Sequence, residues 1–354
     1  MENYQARLAK YEAFWNRENT DRCVLNFRGP KANATPFRRP KNLEEKWLDE
    51  NYVLDNFRHY RENTAFVAEA VPSLFTNLGP GCLSACIGGN YELADGTVWL
   101  DRRPVIDDWE HLPKIEFDEN SEMWQHLLRL QNKFMTDPSV LFTITDLGGT
   151  LDVLASLRSS ENLLYDLYDD PEAVKDLSAR INQMWLKAYD QQVETVRKAG
   201  LPFDTWMNIP SAKPWYPLQC DFSYMISPEH FEEFVLPDVL EQARHIERPV
   251  WHLDGVGELA HLDMILEIPG LVGIQWAPGA GQAPEWDEKW FPVYRKIQDK
   301  KKNVILRRGA SEKDPEGVER LIKTIDPAGT YISASFSCEA KAVEMAENIE
   351  RWSK

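Results

Sequence analysis

The chain has 354 residues, is 43% hydrophobic and carries a formal net charge of −17. That acidity excludes nucleic acid as a partner, because phosphate contacts need clustered Lys and Arg. No apolar run reaches the roughly 18 residues that a membrane-spanning helix needs, so no transmembrane helix is expected, and the hydrophobic fraction is enough for a large core.

The chain opens on an amphipathic helix from Glu2 to about Arg17. Its charged start lacks the apolar centre of a signal peptide, and a cytoplasmic location is expected. A strand is predicted at Cys23–Phe27, a loop at Pro30–Pro40, and a helix from about Leu43 to Glu69. Gly79-Pro80-Gly81 and Gly88-Gly89 punctuate a loop region. Tyr91–Leu93 and Thr97–Leu100 flank Ala94-Asp95-Gly96, a hairpin signal.

From about residue 140 the rhythm changes. Strand candidates are Val140–Thr145, Phe203–Met207, Pro249–Leu253, Leu271–Trp276, Asn303–Arg307 and Thr330–Ala334. Helices fall between them, for example Pro171 to about Lys198 and Pro228 to about His245. Alternation of this kind implies an α/β fold with a parallel sheet. Six units plus one or two in the N-terminal third predict a closed (β/α)8 TIM barrel with extra N-terminal helices and a hairpin. The whole chain, 1–354, is expected to form one domain, with about 1–70 as a helical extension. An open doubly wound sheet would bring a Gly-rich phosphate loop, and neither common form of that motif occurs.

Chemistry in such a barrel sits at the C-terminal strand ends. Polar candidates there are Asp146, Asn208, His252 with Asp254, Gln275 with Trp276, Arg307 with Arg308, and Ser335 to Cys338. His252 and Asp254 stand two apart on a strand and so face the same way. Imidazole, carboxylate and thiolate all bind Zn²⁺, and three protein ligands leave a position open. The competing reading makes His252 a core residue, Asp254 a helix cap and Cys338 a small buried residue; spacing alone favours it. The five cysteines, Cys23, Cys82, Cys86, Cys220 and Cys338, are odd in number and scattered, which argues against a disulfide framework. Asp146 reads equally as a general acid/base or as the cap of a helix starting near Leu151. Asp221 lies in an aromatic stretch with Trp215, Tyr216 and Tyr224, either a lid or a packed loop. Trp206, Asn208, Tyr216, Trp276 and Arg307 are candidates to contact substrate. Arg307 and Arg308 suit a carboxylate or phosphate; Arg307 reads equally as a barrel-bottom or surface residue.

Several segments together resemble the uroporphyrinogen decarboxylase superfamily from about Leu74 onward. They are Asp146-Leu147-Gly148-Gly149 with Tyr165–Glu172, Asp221-Phe222-Ser223 with Ile226-Ser227-Pro228, His252-Leu253-Asp254-Gly255, and Ser337-Cys338 before a helix. The resemblance implies a (β/α)8 barrel. In the corrinoid-linked methyltransferases of that group, zinc is held by His-x-Cys and a distant Cys. His252 matches the His and Cys338 the distant Cys; Asp254 stands where the family has Cys. The expected activity is therefore transfer of a methyl group from a small O-, N- or S-methylated substrate to a corrinoid, with zinc at His252, Asp254 and Cys338. Asp146 or Asp221 would move the proton. No Asp-x-His-x-x-Gly motif occurs, so the corrinoid is expected on a partner protein. A homodimer is a further expectation from the resemblance. The decarboxylase itself carries an Arg-rich N-terminal motif, of which only Arg28 is kept. The alternatives are a metal-independent decarboxylase or lyase using His252 and Asp254 as an acid/base pair, and a non-catalytic ligand-binding protein.

Overall fold

The computed structural model describes residues 2 to 354, with side chains from residue 5 onward. Eleven strands are present among them: β1 Val24–Pro30, β2 Thr64–Ala68, β3 Ser73–Leu74, β4 Glu92–Leu93, β5 Val98–Trp99, β6 Leu141–Phe142, β7 Trp215–Leu218, β8 Arg248–Asp254, β9 Gly273–Ala277, β10 Asn303–Leu306 and β11 Thr330–Ser335. Seven form one sheet in the order β2-β1-β11-β10-β9-β8-β7, while β3-β6 and β4-β5 pair separately. From β1 to β7 every neighbouring pair is parallel; β2 runs antiparallel to β1. Helices follow most of these strands, as the alternating pattern requires.

The register explains which side chains face the site. His252 lies opposite Gln275, Gln275 opposite Ile305, Ile305 opposite Tyr331 and Tyr331 opposite Val24. The next row along belongs to the other face: Leu253, Trp276, Leu306, Ile332 and Leu25 are neighbours in turn. All five are wholly buried and form a continuous apolar layer. One face therefore makes the core under the helices. The other is polar toward the C-terminal strand ends.

The expected closed eight-strand ladder is not formed among the described residues. The sheet has two edges, β2 and β7. Two local causes are visible. Residues 64–68, read as the end of a helix, turn into the antiparallel strand β2 and occupy the free edge of β1. Phe203–Met207, read as a strand, makes only an isolated bridge, Phe203 to Ser211. The Asp204 carboxylate accepts from the Thr205 and Ile209 N–H groups, and Asn208 adopts φ 57°. Those bonds fold the segment into a turn that sits between β6 and β7, with Ile144 N–H donating to the Asp204 carbonyl. The strand of this unit is instead β7. Pro217 conceals it in the sequence, and it is tolerated because β7 is an edge strand. All five cysteines are free, and no helix is long and apolar enough to cross a membrane.

Candidate metal centre

β8 carries His252 and, two residues on, Asp254, its last residue. The strand ends there because Gly255 takes φ 93°, a conformation that strains any other residue. Asp221 opens a short helical turn, Asp221–Met225, just beyond β7. One ligand atom from each of Asp221, His252 and Asp254 lies within 4.8 Å of the other two. The sheet joins β7 to β8 side by side, so the ends of adjacent strands bring the three groups together.

The imidazole is already oriented. His252 Nδ1 donates to Gln275 Oε1 on β9, which fixes the tautomer and leaves Nε2 as the free lone pair. Nε2 faces Asp254 Oδ2 at 3.7 Å. Burial lowers the His252 pKa, with Asp254 opposing, which favours the neutral ring that ligation needs. Trp206 stands edge-on to His252, ring centroids 4.8 Å apart, and walls the site.

Asp221 is held through its backbone. Its N–H and that of Phe222 donate to the two oxygens of Asp152, at 3.1 and 2.8 Å. Asp152 lies in the first turn of the helix Thr150–Arg158 and carried no signal in the sequence, because its partners stand about 70 residues away. Desolvation of its carboxyl by the surrounding groups, then repulsion from Asp254 and Asp146, raises the Asp221 pKa to about 7, although the residue as a whole is exposed. Burial and Asp221 do the same to Asp152, also to about 7. Glu258, wholly buried beside them, is pushed well above the carboxylate range by burial and the same two acids. Such crowding of acids is what a dication relieves.

Asp146 lies next to this group. Its Oδ1 accepts from Gly148 N–H at 2.9 Å and from Gln219 Nε2 at 3.1 Å, and burial raises its pKa. The loop it opens is close-packed. A Cβ at Gly148 would come 2.6 Å from Gly81 Cα, and one at Gly149 would collide with the Gln219 carbonyl. Trp185 Nε1 clamps the Gly148 carbonyl from the long helix Pro171–Ala199. Tyr216 is wholly buried against Trp185, and its hydroxyl accepts from Leu147 N–H. It supports the Asp146 loop and does not line the pocket.

Two further expected site residues, Cys338 and Trp276, lie outside this group. Cys338 caps the final helix, Glu339–Trp352, with its carbonyl packed where Gly29 lacks a side chain. It is not in the acid–His252 group, because β9 and β10 separate β11 from β8. Trp276 belongs to the apolar row, wholly buried against Trp290 at 5.0 Å. Asn208 contributes its carbonyl, which accepts from Asn26 Nδ2 and from the Tyr331 hydroxyl, both at 3.1 Å. Arg307, just past β10, spreads over the Trp206 ring at 4.7 Å.

Asp221 stands between two cavities. One, of about 260 Å³, is lined also by Gly81, Gly148, Asp152 and Gln219. The other, of about 370 Å³, is lined also by Tyr224, Asp254 and Gly255. The Tyr224 ring lies over Gly255 and Gly257, each of which has no room for a Cβ beneath it. A larger cavity of about 810 Å³ lies at the opposite, N-terminal strand ends and contains none of these groups.

No family model matches the chain, and no curated protein matches its sequence. Its fold is shared with a methyltransferase from Methanosarcina mazei, with a TM-score of 0.60 over 98% of each chain at 9% identity. At that identity the likeness is one of fold.

Proposed function

We propose that this chain is a methyltransferase that takes a methyl group from a small O-, N- or S-methylated substrate and passes it to a corrinoid on a separate protein. The observation that carries the reading is the convergence of Asp221, His252 and Asp254 at the C-terminal ends of parallel strands. One imidazole and two carboxylates suit Zn²⁺ and harder divalent ions. Asp221 thus replaces Cys338 as the third ligand. Shared fold with a methyltransferase adds support.

A bound dication supplies Lewis acidity, drawing electron density from the heteroatom that bears the methyl group. The chain's own residues do the rest. Gln275 keeps His252 Nε2 presented, and Asp152 keeps Asp221 in reach. Trp206 excludes water from one side. Asp146, whose pKa burial raises, stands beside the group as the residue to exchange a proton with the demethylated heteroatom.

The test uses anaerobic protein supplied with Zn²⁺, free cob(I)alamin as acceptor and a panel of O-, N- and S-methyl compounds. Methylcobalamin should form with wild type and be lost in Asp254→Ala. A metal-independent lyase is the second reading, favoured by the Asp221 pKa of about 7 beside a neutral imidazole. Turnover of a carboxylic acid in metal-stripped protein, without corrinoid, would establish it instead.

A further inference from the structure

The four most exposed large apolar side chains among the described residues stand together beside the candidate metal centre. They are Tyr168, Tyr165, Tyr224 and Met225, at 73, 63, 51 and 49% exposure; the next, Trp99 and Val343, reach only 37%. Tyr165 and Tyr168 lie three apart on the helix Ser160–Asp169 and so share its outer face. Tyr224 and Met225 close the turn that Asp221 opens. Two contacts tie the segments into one surface. Tyr168 stands edge-on to His230, ring centroids 4.7 Å apart, and Lys175 Nζ bridges Glu172 to Glu233.

Both halves of this patch border the cavities around Asp221. Ser160, the first residue of the tyrosine helix, lines the 260 Å³ cavity together with Met225, Asp152 and Asp221. Tyr224 lines the 370 Å³ cavity with Asp221 and Asp254. An exposed apolar cluster of this kind marks a surface that another body covers. Tyrosine and methionine are residue types that protein interfaces favour.

The rim indicates what covers it. Exposed acids flank the patch: Glu161, Asp169 and Glu172 on one side, Glu229, Glu232 and Glu233 on the other. Lys175 is the only Lys or Arg in residues 159–175 and 221–235, and Glu172 and Glu233 already share it. A second copy of the chain docked here would set acid against acid. The methyl acceptor must come to Asp221 and His252, and the chain has no Asp-x-His-x-x-Gly motif of its own. We propose that the corrinoid-carrying protein docks on Tyr165, Tyr168, Tyr224 and Met225, through an apolar centre ringed by Lys and Arg, and so brings its cofactor to the mouth of the two cavities. The identity of this partner rests on the proposed methyl transfer. Complementary charge speeds the encounter and selects the partner, and the buried aromatic centre holds it.

The experiment compares two acceptors with the full chain and Zn²⁺. One is free cob(I)alamin. The other is cob(I)alamin on each Asp-x-His-x-x-Gly protein encoded in the same genome, purified in turn. Methyl transfer and carrier binding, the latter by sedimentation, are both read. In Tyr165→Ala/Tyr168→Ala, transfer to free cob(I)alamin should match wild type, while kcat/KM for the carrier should fall about tenfold or more. Tyr165→Phe/Tyr168→Phe keeps the rings and should recover most of that loss. Val343→Ala, on the final helix, should change neither. Added salt should weaken the carrier and spare free cob(I)alamin. If a carrier binds, and the Ala variant abolishes binding, yet no methyl reaches either acceptor, the transfer reading fails and the docking face stands. Equal carrier kinetics in wild type and the Ala variant would overturn the docking face, as would a wild type that transfers to free cob(I)alamin and binds no carrier. A wild-type dimer that the Ala variant splits into monomers would assign the face to a second copy and overturn the proposal.

Discussion

His252 Nε2 and Asp254 Oδ2 face each other at 3.7 Å across the end of one strand. That separation is too long for a hydrogen bond and short enough for both atoms to reach one cation. Gln275 occupies the other ring nitrogen, so the geometry is set before any ion arrives.

Gln275 is therefore a positioning residue. Replacing it with Leu frees the imidazole to rotate and to change tautomer. Metal affinity should fall about 10- to 100-fold, as for other partners behind a ligating histidine. Competition with a chelating dye measures this. Unchanged affinity would mean that the ring is held by packing against Trp206 alone.

Asp152 fixes Asp221 from behind. Asp152→Ala strands two backbone N–H groups, at Asp221 and Phe222. Stability should drop by about 1–3 kcal/mol, and metal affinity should drop with it. Asp152→Asn keeps an acceptor and should recover most of both. Urea midpoints and chelator competition, read on the same samples, separate the two effects.

Trp276 is a core residue in this fold. Trp276→Ala should cost about 3–5 kcal/mol in stability, the usual range for a large buried aromatic. At temperatures where it remains folded, its affinity for Zn²⁺ should match wild type. A variant of normal stability with lost affinity would put Trp276 in the pocket after all.

Glu285 gives a sign for the pH dependence. Burial lifts its folded pKa to about 8 from an ordinary 4.5. The folded state therefore holds a proton that the unfolded chain has released. This contribution to stability is fully present below about pH 4.5, declines as pH rises, and is gone above about pH 8. Glu285→Gln keeps an acceptor for the Arg308 N–H and removes the titration. Urea denaturation across that window should show wild type losing stability relative to the variant as pH rises. Parallel profiles would contradict the raised pKa.

Much of this was legible in the sequence, for definable reasons. Apolar alternation and short spacing located β8 to β11 within a residue or two, and the i, i+2 rule placed His252 with Asp254. What local pattern cannot supply is register. Gln275 and Trp276 are adjacent in sequence and face opposite sides, and only pairing with β8 decides which one meets His252. The same lack hid the link from Asp152 to Asp221. Side-chain capping by Asp204 undid a strand that β-propensity favoured, and Pro217 masked a real one. Cys338 followed from matching a motif one residue at a time, and the spacing of strands in the sheet separates it from the site.

The central claim is that Asp221, His252 and Asp254 together hold a divalent ion. Elemental analysis of protein purified anaerobically, then dialysed against limiting Zn²⁺, tests it directly. Wild type and Cys338→Ala should each retain about one ion per chain, and Asp221→Ala, His252→Ala and Asp254→Ala should retain almost none. Retention in Asp221→Ala with loss in Cys338→Ala, or no retention in wild type, would contradict it.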